Sequence, residues 1–545
     1  MLTGLINSFP EGYSPNPQQV KLLKNIDQAF EDGYTFVVCN APTGSGKSFV
    51  SKTIGNVANQ PTKEFRDLVN YYLAYRRAHA GGYAYEDDCN SEKPFGCTAL
   101  TITKALQDQY KDFFEDVQVL KGKSNYQCTV DDRFTVELAP CLHVPKLKEE
   151  CWAKNSCPYY ENRNQALTST FSTLNYNMFF SLPEHLKKRQ YLICDEASQL
   201  EDQLVKEFSC NINFESLKKL EVLVRPFYTK NNTNVVRWIT TLILDLNERI
   251  ENIKECVNGA PKGKGKFIIE KKSQLITLRN LHSKLSLIID TWNESEYIYE
   301  RDSKGITFMP LKVNKLSDHL FKHGDKVILM SATIIDPDNF CKSLGIKKFK
   351  YVEAESSFDS KNAPIHCNTK IKLNYHSMKR NLPKIAEQIK EICSFHKNDK
   401  GIIHTHNNTI TKFLSEKLID NRFLIREPGI RNEILLEQHL QNDDPTVLVS
   451  PSMSHGVDLK DDLARFQIIV KAPFLPTQDK RIQRLMKDDF SWYANKMLCL
   501  LIQACGRGVR SKKDHCITYI LDGTVVENII KNKHKLPKYF LDRFS

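Results

Sequence analysis

The stretch TFVVCNAPTGSGKSFVSKTI, Thr35 to Ile54, narrows the possible folds more than any other part of the chain. Thr35–Cys39 reads as a short buried strand, Ala41–Ser48 as a glycine-rich loop, and Phe49 onward as the start of a helix. Strand, loop and helix in that order wrap backbone N–H groups and a helix N-terminus around a polyphosphate. Ala41, Pro42, Thr43, Gly44, Ser45, Gly46, Lys47 and Ser48 are therefore candidate nucleotide contacts. Lys47 would reach the β and γ phosphates, and Ser48 would ligate Mg²⁺. A strand that feeds such a loop is normally buried on both faces, which predicts a parallel α/β sheet.

A second acidic signal follows in RQYLICDEASQL, where Asp195 and Glu196 end the apolar run Tyr191–Cys194. Ligands of parallel sheets gather at that carboxyl end. Asp195 is suited to hold Mg²⁺, and Glu196 to orient or deprotonate an attacking water. Near the C-terminus, Gln503, Gly506, Arg507 and Arg510 in LLIQACGRGVRS fall at i, i+3, i+4 and i+7. That spacing predicts one helical face, with arginines able to neutralise a transferring phosphoryl group. Lys and Arg exceed Asp and Glu by 77 − 65 = +12 in the 545 residues, a balance that favours an anionic partner such as nucleic acid. No apolar run approaches the roughly 20 residues needed to span a bilayer. The start MLTGLINSFPEGYS has neither a cationic segment nor an apolar one, so no secretory signal is expected.

Taken in order, these stretches resemble the DinG/XPD (Rad3-like) family of superfamily 2 helicases. Gln19 in PNPQQVKLL looks like the adenine-reading glutamine, APTGSGKS like motif I, ALTITKALQDQY like motif Ia and DEAS like motif II. VILMSAT looks like motif III, SHGVDL like motif V with Asp458 at the nucleotide, and QACGRGVR like motif VI; KAPFLP and YILDG also match. The resemblance implies two RecA-like motors with ATP between them, single-stranded DNA across their tops and 5′→3′ translocation. It further implies DNA contacts at Thr103, Gln107 and Tyr159. Ser198 stands where relatives usually carry His, and His455 where Glu is common. Residues 59–95 are an addition between motifs I and Ia, expected to be a surface helix with a loop.

Four cysteines, Cys128, Cys141, Cys151 and Cys157, are separated by twelve, nine and five intervening residues. In a chain without a secretory signal they suggest metal before disulfide. Four thiolates suit either a [4Fe–4S] cluster or Zn²⁺, and the chemistry leaves both open. His143 could replace one cysteine in a zinc site, while Cys89 and Cys97 read as structural thiols. The resemblance implies the [4Fe–4S] cluster, because this is where relatives insert an iron–sulphur domain. Tyr126, Trp152, Tyr159 and Tyr160 interleave with Lys146, Lys148 and Lys154 there, a mix that fits either a strand-tracking surface or plain packing.

The implied order is a first motor in three pieces (1–110 with the 59–95 insertion, 171–205 and 323–360). It is interrupted by an Fe–S cluster domain (111–170) and a helical arch (206–322), and the second motor is 361–545. Helical periodicity in SLKKLEVLVRPF, VVRWITTLILDLNERIENIKECV and SQLITLRNLHSKLSLIIDTW supports the arch. Lys262, Lys264 and Lys266 are expected on an exposed loop. The activity implied is an ATP-dependent DNA helicase acting on single-stranded, forked or RNA–DNA substrates, a monomer in a bacterial or phage-infected cytoplasm. The competing readings are a translocase that remodels nucleoprotein without processive unwinding, and a DNA-binding scaffold with a silent ATPase. Lys47, Glu196 and Arg510 argue against the scaffold.

Overall fold

The computed structural model describes residues 2–42, 44–67, 69, 94–139, 141, 157–227, 232–259, 265–356, 359–367, 369–426, 432–451, 459, 461–506, 508–509 and 514–544. Two parallel sheets organise it. The first holds β1 (Phe36–Asn40), β2 (Cys97–Thr101), β3 (Gln118–Leu120), β4 (Phe171–Asn175) and β5 (Arg189–Asp195). Two later strands, β9 (Gly324–Ser331) and β10 (Phe349–Glu353), return to complete it. Their spatial order is β10-β1-β9-β5-β2-β4-β3. Runs such as Val37, Val38 and Cys39, or Leu192, Ile193 and Cys194, are fully buried because helices cover both faces.

The order places β9 between the strand of the glycine-rich loop and the strand of the acidic pair. Its register matches Asn40 of β1 with Ser331, and Asp195 of β5 with Met330. Three chain reversals thus emerge side by side at one carboxyl edge.

The small unit between β5 and β9 joins helices to an antiparallel sheet. β6 (Cys210–Asn213), β7 (Tyr297–Arg301) and β8 (Gly305–Pro310) pair in the order β6-β8-β7. Helices Asn232–Asn258 and Gly265–Asp290 pack on it through Trp238, Leu246, Leu278, Leu285 and Phe308. SLKKLEVLVRPF is not one helix: the helix Phe214–Lys219 stops there, and Glu221 takes a left-handed φ of 59°. The segment between β3 and β4 forms a Gln127–Thr135 bridge, and its turn Val136–Leu138 lies against the helix Gly265–Asp290. Of the 59–95 stretch, Phe65 and Val69 are buried, with the Phe65 ring 4.5 Å from Phe95; residues 70–93 lie outside the described residues.

The second sheet contains β11 (Ile365–His366), β12 (Gly401–His404), β13 (Phe423–Ile425), β14 (Val447–Ser450), β15 (Phe466–Ile469) and β16 (Ile517–Ile520). All neighbours are parallel, in the order β11-β16-β15-β12-β14-β13. The helix Phe490–Cys505 lies between this sheet and the first.

Candidate nucleotide site

Gly44 and Gly46 both have a φ of 78°, which turns the loop after β1 back into the helix Lys47–Asn56. At Gly46 the positive φ disfavours any side chain, and an added Cβ would stand 2.1 Å from Gln19 Nε2 and displace that amide. No side chain caps this helix, so its first N–H groups are left to bind an anion. Ser45 is buried, and its hydroxyl has no partner among the described residues. Ala41 N–H donates to Ser331 O at 2.8 Å, which ties the loop to β9. Thr43 lies outside the described residues.

Lys47 Nζ points across the loop mouth, 3.4 Å from Ala41 O and 3.8 Å from Glu196 Oε1. The acidic pair therefore faces the glycine-rich loop, as its sequence position suggests. Asp195 is 5% exposed, and its carboxylate accepts the Glu196 N–H at 2.9 Å. Burial first, and the Glu196 charge second, push Asp195 up to about 6, while Lys47 pulls it back. Glu196 itself sits at φ 51°, a left-handed conformation that costs a non-glycine residue about 1 kcal/mol or more. That turn aims its carboxylate at Lys47. Ser48 and Asp195 are the oxygen donors that would hold Mg²⁺, whose charge would offset that of the phosphates.

Gln19, in the first turn of the helix Pro17–Glu31, forms a reciprocal cap with Asn16: Gln19 Oε1 accepts the Asn16 N–H at 2.9 Å, and Asn16 Oδ1 accepts the Gln19 N–H at 2.9 Å. The cap holds the Gln19 amide against the loop, 3.5 Å from Gly46 O.

The second sheet reaches the same cleft through Gln503. Its Nε2 donates to Ser198 Oγ at 3.2 Å and to Thr333 Oγ1 at 3.1 Å. Ser198 also pairs with Ser331 Oγ at 3.0 Å and Thr333 Oγ1 at 3.1 Å. The three hydroxyls and one amide join motif II, motif III and the second sheet. Ser331 and Thr333 were read only as part of VILMSAT; their hub role follows from the β1-β9-β5 order, which that string does not reveal.

Several expectations need correcting. The face drawn from Gln503 to Arg510 does not form as one helix, because Phe490–Cys505 ends before Gly506. Glycines at 506 and 508 disfavour continuation, and Gly508 packs where a Cβ would lie 2.2 Å from Cys516 Sγ. Arg507, Arg510 and Asp458 lie outside the described residues. Gln107 is fully buried and donates to Leu120 O at 3.1 Å and Thr173 O at 3.3 Å, so it clamps β3 to β4 rather than facing DNA. Tyr159 is likewise core, 4% exposed between Tyr126 and Tyr160. Thr103 remains at the surface, capping the helix Lys104–Phe113.

Cys128 is buried, and Cys141 and Cys157 are partly so; Cys151 lies outside the described residues. Among the described residues, no three His, Cys, Asp or Glu side chains converge on a metal position. Cys128, Cys141 and Cys157 supply sulphur donors, a set that suits thiolate ligation.

Residues 396–541 match the family model described as the helicase C-terminal domain. The match spans β12 to β16 of the second sheet and the helices between them. Solved structures with the same fold include an XPD helicase, at TM-score 0.59 and 16% identity over 95% of this chain and 98% of that one. Xpd4 of S. tokodaii gives 0.55 and 14% over 97% and 99%. An apo XPD gives 0.54 and 16% over 95% and 98%. These likenesses establish the architecture of two RecA-like parallel-sheet domains. A comparison with curated proteins returned no match. Among the described residues no helix is long and apolar enough to cross a membrane.

Proposed function

We propose that this chain is an ATP-dependent DNA helicase of the DinG/XPD kind, which moves 5′→3′ on single-stranded DNA and opens forked or RNA–DNA duplexes. The observation that carries the reading is the cleft itself. Lys47, Asp195 and Glu196 come from one motor, and Gln503 of the other reaches the hydroxyls of Ser198 and Thr333 beside them. In that cleft Lys47 and the loop amides bind the phosphates, and Glu196 orients and deprotonates the attacking water. Arg507 and Arg510 follow Gln503 in sequence and would complete the charge on the transferring group. In this reading residues 111–170 and 206–322 are insertions in the first motor.

We assign the four cysteines to a [4Fe–4S] cluster, with Zn²⁺ as the alternative metal: four thiols suit both, and the resemblance to iron–sulphur helicases favours the cluster.

Phosphate release with and without single-stranded DNA tests the enzyme reading. The expected result is DNA-stimulated release that Lys47→Ala lowers by at least a hundredfold. Release that is absent in the native chain, or unchanged in the variant, would refute it.

A further inference from the structure

Glu201 lies five residues beyond Glu196, on the helix Leu200–Glu207, and is buried together with Arg481 and Trp492 of the second motor, with Lys496 partly buried beside them. Arg481 Nη2 meets Glu201 Oε1 at 2.7 Å. Lys496 Nζ and Trp492 Nε1 both reach Glu201 Oε2, at 3.1 and 3.0 Å. Arg481 Nε also donates to Pro310 O and Leu311 O, each at 3.1 Å, so the end of β8 joins the junction. Burial opposes the Glu201 charge, but Lys496 and Arg481 overcome it and bring its carboxyl down to about 2.

Trp492, Lys496, Cys499 and Gln503 lie at spacings of four, three and four residues. That is one stripe of a helix, and every member of it touches the first motor. Cys499 Sγ donates to Thr333 O at 3.0 Å, and Gln503 reaches Ser198 and Thr333. The two ends of this helix are held differently. The Trp492 end is fastened by buried ions. The Gln503 end is held by neutral hydrogen bonds, and Gln503 Oε1 is buried with no partner among the described residues. A buried ionic contact with one partner missing is costly, whereas neutral hydrogen bonds exchange at small net cost.

We infer that Glu201 is a positioning residue for hydrolysis: it pins one end of the helix Phe490–Cys505 to the first motor, making the pivot about which Gln503 approaches and leaves the nucleotide. Movement of that helix is then rotation about a fixed point rather than separation of the motors. The inference rests on reading the cleft as an ATPase.

The test uses the full chain, with phosphate release titrated in ATP at saturating single-stranded DNA. A fluorescent ATP analogue reports nucleotide binding, and thermal melting reports the folded state. Glu201→Gln removes the charge that holds Arg481 and Lys496. Its kcat should fall at least tenfold, with KM and analogue affinity within twofold of the native chain. Lys496→Met leaves the Glu201–Arg481 pair intact, so it stays folded if Glu201→Gln does not, and its kcat should fall about threefold with the same split. Glu201→Asp, which keeps the charge, should recover part of the rate. A kcat within twofold of native in folded variants would overturn the pivot, as would kcat and nucleotide affinity falling together in proportion to lost folded protein. If the native chain showed no DNA-stimulated release, the ATPase reading would fall and the pivot with it. Native activity with unaffected variants would overturn the pivot alone.

Discussion

Single side chains carry most of what can be checked about the site, and a few of them also set its acid stability. His323 opens the β9 segment with its ring 5.8 Å from Phe179 and its Nε2 3.2 Å from Glu184. Burial outweighs the carboxylate and pushes this imidazole from 6.5 down to about 4. The folded chain therefore holds His323 neutral, while the unfolded chain takes up a proton below pH 6.5. The stability this provides is complete above pH 6.5 and is lost as pH falls toward 4, a change on the order of 3 kcal/mol. Melting temperature measured from pH 7.5 to 4.5 should drop steeply in the native chain and less steeply in His323→Asn. Parallel slopes would contradict this assignment. At the same scale, the sequence spoke clearly for Gly46, Lys47, Asp195 and Glu196, because loop and strand end are written contiguously. It misled for Gln107 and Tyr159: a polar or aromatic residue near a motif says nothing of whether its side chain faces the sheet or the solvent.

Between elements, the cleft depends on which strands are neighbours. The order β1-β9-β5 sets SAT between the glycine-rich loop and DEAS, and only then do Ser331, Thr333, Ser198 and Gln503 meet. Ser198 is short, so it serves three polar partners at 3.0 to 3.2 Å without filling the gap a larger ring would take. Ser198→Ala removes the shared hydroxyl but leaves Lys47, Asp195 and Glu196 in place. ATP hydrolysis without DNA should stay within about threefold of native, while DNA stimulation should fall by about tenfold or more. Equal losses in both rates would show that Ser198 supports the chemistry rather than the link between motors. Strand order of this kind is non-local, and the sequence conveyed it only through the resemblance. The β6-β8-β7 sheet was missed for another reason. GITFMP does alternate after the Asp302–Gly305 turn, but the long helical periodicity before it masked the two short strands.

For the molecule as a whole, two parallel-sheet domains are joined by buried contacts, and the small β6-β8-β7 sheet is covered by its own pair of helices. The fold class was legible because seven motifs follow one another in a fixed order. Cys151, Asp458, Arg507 and Arg510 lie outside the described residues. The metal assignment makes a separate prediction. Protein purified without oxygen should be brown, with about four irons per chain, and Cys128→Ser should lose both colour and iron. A colourless chain with one zinc would replace the cluster by the alternative metal.

The central claim is that ATP turnover in this cleft drives strand separation. Displacement of a labelled strand from a forked duplex with a 5′ tail, followed with ATP and with a non-hydrolysable analogue, tests it most directly. Product that accumulates with ATP alone, and disappears in Lys47→Ala, is the expected result. DNA-stimulated hydrolysis with no displacement on forked or RNA–DNA substrates would contradict it and leave a translocase in its place.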